Sequence, residues 1–164
     1  MDLSGYSLEE LFQTAIKAEI DSREAYSVLS GITKNAFLKE RLRFLADEEL
    51  KHKEMLEQEF KKNIPDKELV LPEFTPVPMP EIDVSDETAP ISKILQQAMD
   101  AELAAKEFYM EFANYVKENK QLVLTLGYFA RMEQSHYEIL KQEKASAEEF
   151  ENYDEYNPMM HTGP

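Results

Sequence analysis

Two short steps in the sequence, Glu49-Leu-Lys-His52 and Glu133-Gln-Ser-His136, set a carboxylate and an imidazole three positions apart. On a helix that spacing puts both side chains on one face about one turn apart, where they can converge on a single ion. The neighbouring residues make the placement unusual. Leu38, Leu42, Leu45 and Leu56 mark the apolar stripe of an amphipathic helix, and Glu49 and His52 occupy stripe positions where leucines belong. Leu122, Leu126, Phe129 and Leu140 frame Glu133 and His136 in the same way, every position 84 residues later. A second repeat, offset by 83 residues, aligns Phe12, Ala15, Glu19, Ser22, Tyr26 and Leu29 with Leu95, Ala98, Glu102, Ala105, Tyr109 and Phe112. Each of four stripes therefore carries one carboxylate.

A buried, unpartnered carboxylate costs several kcal/mol, and four that face one another also repel. No Lys or Arg stands in phase with them; Arg23 and Arg131 lie off the stripes and can serve only from outside the cluster. Two divalent cations balance Glu19, Glu49, Glu102 and Glu133, and neutral His52 and His136 complete the shell. One Glu from each of two helices plus Glu-x-x-His from each of the other two is the ligand set of ferritin-like dimetal carboxylate bundles. The competing reading is a bundle whose polar core residues only specify helix pairing, and it predicts no stoichiometric metal binding. Sites rich in carboxylate oxygen with one imidazole per ion suit iron first, then manganese or a mixed pair. Copper(I) favours thiolates, and tetrahedral zinc does not need six residues for two ions.

Four helices have to position these groups. Ser7 and Glu10 stand in capping-box spacing at the start of the first helix, which Gly31 is expected to stop. The second helix is expected over about 34–62, the third over about 90–117 and the fourth over about 121–149. Between the second and third, "NIPDKELVLPEFTPVPMPEIDVSDETAP" holds six of the eight prolines and reads as an extended crossover over about 63–89, with "ELVL" a short extended piece at most. Short links make each helix pair an antiparallel hairpin, and the crossover lets the second pair start at the opposite end. The expected fold is all-α, a ferritin-like antiparallel four-helix bundle: a single domain over 1–149, then an acidic tail over 150–164. His161 in that tail reads as a solvated residue more readily than as an accessory metal ligand.

Composition narrows the function. The 164 residues, 43% hydrophobic and 31% charged, suffice for one domain with a real core. The net charge of −15 argues against nucleic acid or an anionic membrane as partner. No stretch approaches the roughly 20 apolar residues that span a bilayer, and "MDLSGYSLEE" lacks the pattern of a signal peptide, so the expected location is the cytoplasm. With no cysteine, disulfides, thiolate nucleophiles and iron–sulfur centres are excluded. Phe44, Phe108, Phe112, Tyr115, Tyr128 and Phe129 read as core and interface packing, while Ile20, Val28, Met110 and Val123 offer an apolar seam for a homodimer.

From about residue 7 to 144 the chain resembles the rubrerythrin family, specifically its erythrin domain. The resemblance rests on Glu19 with Tyr26 seven residues on, Glu49-x-x-His52, Glu102 with Tyr109 seven residues on, and Glu133-x-x-His136. It implies that Glu49 and Glu133 bridge two metals, that Glu19 and Glu102 are terminal ligands, and that His52 and His136 each cap one metal. It also implies an oxidoreductase that reduces hydrogen peroxide or dioxygen; the alternative is a protein that takes up, oxidises or buffers iron without peroxidase turnover. Two departures matter. Rubrerythrins carry a further carboxylate one turn after the third-helix ligand, where this chain has Ala105, so a redox-driven ligand exchange does not carry over. Full-length rubrerythrins also attach a four-cysteine rubredoxin domain, and without cysteines the expected electron donor is a separate protein. Tyr26 and Tyr109 share faces with Glu19 and Glu102 two turns on. Orienting a carboxylate of the opposite helix pair and simply filling core volume are both open to them.

Overall fold

Ser7 starts the first helix. In a computed structural model, which describes residues 1–86 and 88–156 with side chains as far as residue 151, the Ser7 Oγ accepts from the Glu10 N–H and the Glu10 carboxylate accepts from the Ser7 N–H at 2.8 Å. This reciprocal cap opens α1 (Leu8–Ile32). Gly31, expected as the stop, lies inside the helix. Its φ is not positive, and the chain leaves in extended conformation at Thr33, whose N–H donates to the Leu29 carbonyl at 3.0 Å. An extended exit needs no left-handed residue, so the glycine is not used as a cap.

The second helix, α2 (Ala36–Asn63), starts at Asn35, whose side chain accepts from the N–H groups of Phe37 and Leu38. By contrast, α3 (Ile91–Tyr115) follows Pro90 with no side-chain cap. Asn119 accepts from the Leu122 N–H at the start of α4 (Lys120–Tyr156). This last helix continues past Glu149, its expected end, because no helix breaker occurs before Pro158. Part of the expected tail is thus helical, and His161 lies outside the described residues.

The crossover, residues 64–90, contains no strand among its described residues. Side chains of α1 and α3 satisfy its backbone: Gln13 donates to the Val70 carbonyl, Thr14 Oγ1 accepts from the Val77 N–H at 3.1 Å, and Gln97 accepts from the Asp83 N–H. Val77 is buried, so the segment is pinned by an apolar contact as well as by hydrogen bonds.

The result is an all-α four-helix bundle in which α1 packs on α2 and α3 on α4. Two apolar clusters fill it. One is rich in aromatics, including Phe12, Phe60, Phe108, Phe112 and Phe129; the other is mainly aliphatic, including Leu29, Leu42, Leu45, Leu95 and Leu140. Phe44, Tyr115 and Tyr128 keep part of their surface exposed, whereas Phe108, Phe112 and Phe129 are fully enclosed. Of the residues expected on an exposed seam, Val28 and Met110 are exposed while Ile20 and Val123 are half-buried. No helix among the described residues is long and apolar enough to cross a membrane.

Candidate metal centre

The six ligand candidates come from all four helices: Glu19 from α1, Glu49 and His52 from α2, Glu102 from α3, and Glu133 and His136 from α4. None exposes more than 4% of its surface. Their ligand atoms form two overlapping groups, Glu19–Glu49–His52–Glu133 and Glu49–Glu102–Glu133–His136, and within each group the atoms lie within 4.8 Å of one another. Glu49 and Glu133 belong to both groups and divide their oxygens between them. Glu49 Oε2 is 3.1 Å from His52 Nδ1, and Glu49 Oε1 is 3.1 Å from His136 Nδ1. Glu133 repeats the arrangement, with Oε1 at 3.3 Å from His52 Nδ1 and Oε2 at 3.3 Å from His136 Nδ1. Each remaining carboxylate meets one imidazole, Glu19 Oε2 at 3.4 Å from His52 Nδ1 and Glu102 Oε2 at 3.6 Å from His136 Nδ1.

The tyrosines cross between hairpins. Tyr26 of α1 donates to Glu102 Oε1 on α3, and Tyr109 of α3 donates to Glu19 Oε1 on α1. Each of these carboxylates therefore gives one oxygen to a tyrosine and turns the other toward an imidazole. Burial and then the neighbouring glutamate charges raise both phenols well above their ordinary range, so they remain O–H donors at neutral pH. Arg23 and Arg131 are exposed and form no ion pair with the site carboxylates. Phe129 packs edge-on against the His52 ring, with ring centroids 5.2 Å apart.

The electrostatics call for cations. Two carboxylates less than 5 Å apart repel by roughly 4 kcal/mol even at an effective dielectric of about 20. The two groups contain five such pairs, so with all four carboxylates charged the repulsion exceeds the entire stability of a typical domain, about 5–15 kcal/mol. Without metal, protons must offset it. Burial, with the charges of Glu133, Glu19 and Glu102, pushes Glu49 well above the usual carboxylate range, and burial with the Glu133 charge raises Glu102 to about 8. Burial opposes charge on the imidazoles, but the surrounding carboxylates outweigh it and raise both His52 and His136. For Glu133 the balance runs the other way: burial pushes it up, and contact with the two imidazoles outweighs that and holds it below the ordinary range.

Hydrogen bonding leaves the cluster unfinished. Glu49 Oε1, Glu133 Oε1, His136 Nδ1 and both Nε2 atoms are buried without a hydrogen-bond partner. The His136 Nδ1 has three carboxylate oxygens within 3.6 Å and is aligned with none of them, which is the geometry of donor atoms gathered around ions rather than around each other. The oxygen and nitrogen donor set therefore fits two divalent metals.

A four-helix bundle with this buried carboxylate–histidine cluster defines a ferritin-like protein with a site suited to two metal ions. The comparisons agree. The family described as Rubrerythrin matches residues 10–158. A solved structure of a hypothetical protein from Pyrococcus furiosus superposes with a TM-score of 0.77 at 35% identity, covering 91% of this chain and 95% of that one. No curated protein sequence matches the chain. The chain belongs to the rubrerythrin family.

Two features near the site escape stripe analysis. Ser22 and Ala105 stand in phase with the buried stripes yet are only half-buried, because both line a cleft of about 340 Å³ between α1, α3 and the crossover. Glu48, which lies off the stripe, nevertheless groups with His52 and His136. The signal available in sequence was its position one residue before Glu49 and four before His52.

Proposed function

We propose that Glu19, Glu49, His52, Glu102, Glu133 and His136 bind two iron ions, and that the protein is an oxidoreductase reducing hydrogen peroxide with electrons from a separate donor protein. The observation that carries this reading is the sharing of Glu49 and Glu133 between two overlapping donor groups, each oxygen facing a different imidazole. Two ferrous ions, when bound, each supply one electron, and these with two protons convert one peroxide to two waters. Manganese or a mixed pair is compatible with the same donors.

The chain's own residues prepare the site. Glu19 and Glu102 are each held at one oxygen by a tyrosine, so only the other is free to face an ion. The apolar clusters keep bulk water from the carboxylates, which strengthens every charge interaction inside. The cleft whose lining includes Ser22 and Ala105 lies one turn along α1 and α3 from Glu19 and Glu102, which supports it as the side from which a small oxidant arrives.

The same cleft supports a second reading. Asp21, Glu24, Glu73 and Glu81 line it against a single cation, Lys17, which already pairs with Asp21. This acidic excess favours a cation over an anion, as expected of a protein that takes up and oxidises ferrous iron.

One experiment separates the two. Apo protein is loaded anaerobically with two Fe(II) per chain and mixed with stoichiometric hydrogen peroxide or with air-saturated buffer, following absorbance. Much faster oxidation by peroxide is expected; faster oxidation by dioxygen overturns the peroxidase reading in favour of iron handling. Failure to retain two ions per chain removes both.

A further inference from the structure

Each imidazole turns Nδ1 toward the inner carboxylates and leaves its buried Nε2 without a partner. A histidine that ligates a metal through one nitrogen ordinarily donates its other N–H to a carboxylate, a carbonyl or water, which fixes the ring and makes it a better ligand. Among the described residues, Glu48 is the carboxylate outside the six that groups with both rings: one of its oxygens and one nitrogen each of His52 and His136 lie within 4.8 Å of one another. The rings themselves are stacked, 5.4 Å apart at 18°, so a single group beside the stack can reach both. Glu48 is mostly enclosed, its side chain 13% exposed, and Lys51 Nζ holds it at 2.6 Å from the outside.

The repeat sharpens the point. Every ligand of α2 has a counterpart 84 residues later on α4, but Glu48 corresponds to Met132, half-buried and unable to accept such a bond in the same way. The two halves of the site therefore share one outer carboxylate, and it belongs to α2.

We propose that Glu48 is a positioning residue that accepts the outer N–H groups of His52 and His136 and thereby sets the metal affinity of the whole site. A rotation of its carboxylate, or one bridging water, spans the present separation. The inference rests on the dimetal reading and adds to it a residue that touches no ion.

The test uses Co(II) alone, titrated into apo protein and followed by its visible absorption, with thermal unfolding of each apo variant as the control for folding. Wild type is expected to bind two ions, and Glu48→Met to bind them about 10–100-fold more weakly at unchanged apo stability. Glu48→Gln, which keeps the shape and a weaker acceptor, should fall between. Adding Met132→Glu to Glu48→Met moves the carboxylate to the equivalent place on α4 and should restore affinity, whereas Glu54→Met, which removes an exposed carboxylate of the same helix, should leave it unchanged. Wild-type affinity in Glu48→Met, a loss that Glu54→Met reproduces, or a loss that Met132→Glu does not recover overturns the role of Glu48. A wild type that binds no cobalt overturns the dimetal reading itself.

Discussion

The hairpin α1–α2 and the hairpin α3–α4 are the same device built twice, and they differ in an informative way. Glutamates, histidines and the crossing tyrosines repeat in register, and each has at least one partner on the opposite hairpin: Tyr26 reaches Glu102, Tyr109 reaches Glu19, and Glu49 and Glu133 each face both imidazoles. What diverges lies at the margins. Ser7 caps α1 with a reciprocal pair of hydrogen bonds while Pro90 gives α3 none; Glu48 faces the imidazoles from α2 while Met132 stands in its place on α4. Groups that must meet at a common centre are held to one geometry in both halves, whereas helix ends answer only to local demands and a single outer carboxylate stands beside the imidazoles of both halves.

That equivalence can be broken, and the largest effect should come from its centre. Glu49→Ala and Glu133→Ala should each abolish two-ion binding, and to the same degree, since each removes a carboxylate belonging to both donor groups. Metal content per chain after dialysis checks this; a variant that still holds two ions removes the bridging role. In the apo state Glu49→Leu should be more stable than wild type by about 1–3 kcal/mol, because an apolar side chain replaces a buried carboxyl group whose Oε1 has no hydrogen-bond partner. Thermal unfolding of metal-free protein measures it.

Proton balance comes next. The metal-free site holds protons on Glu49, on Glu102 with its value at about 8, and on both imidazoles, all raised above their ordinary range. Ions need these groups deprotonated, so loading at pH 7 should release protons and apparent affinity should fall as pH is lowered from about 8. Calorimetric titration in two buffers of different ionisation enthalpy counts the protons; a heat independent of buffer contradicts this proton balance.

Smaller effects test whether the halves are equal in their supporting bonds. Tyr26→Phe and Tyr109→Phe each delete one hydrogen bond to a carboxylate, and each should weaken metal binding by about tenfold, equally. Unequal losses in parallel Co(II) titrations show that one ion position depends more on its tyrosine. At the periphery, Ser7→Ala should cost about 1 kcal/mol of stability with metal affinity unchanged, as expected of a lost helix cap. Denaturant unfolding is the measure, and the α3 start at Pro90 has no comparable bond to lose.

Much of this molecule is legible in the residues alone, for a reason visible at Glu49 and His52. A helix converts sequence spacing into facing, so charged groups in phase with leucines have to be buried, and a repeat of that pattern at four stripes leaves metal as the economical neutraliser. Tertiary placement is less legible. Gly31 reads as a stop, but the exit of α1 is decided by the path of the chain through Thr33, where an extended backbone needs no glycine. The acidic run after Glu149 reads as a tail, yet charge alone does not break a helix and Tyr156 is still helical.

What the sequence determined by itself, then, is the class of element, the buried faces and the identity of the polar groups on them, since each depends on spacing within a single helix. Only the assembled bundle decided which tyrosine holds which glutamate, that Ser22 and Ala105 open onto a cleft under the crossover, and that Glu48 comes to both imidazoles. Those relations join residues tens of positions apart on different helices. The relative rotation and approach of helices is set by packing at every contact along them, and no local pattern encodes it.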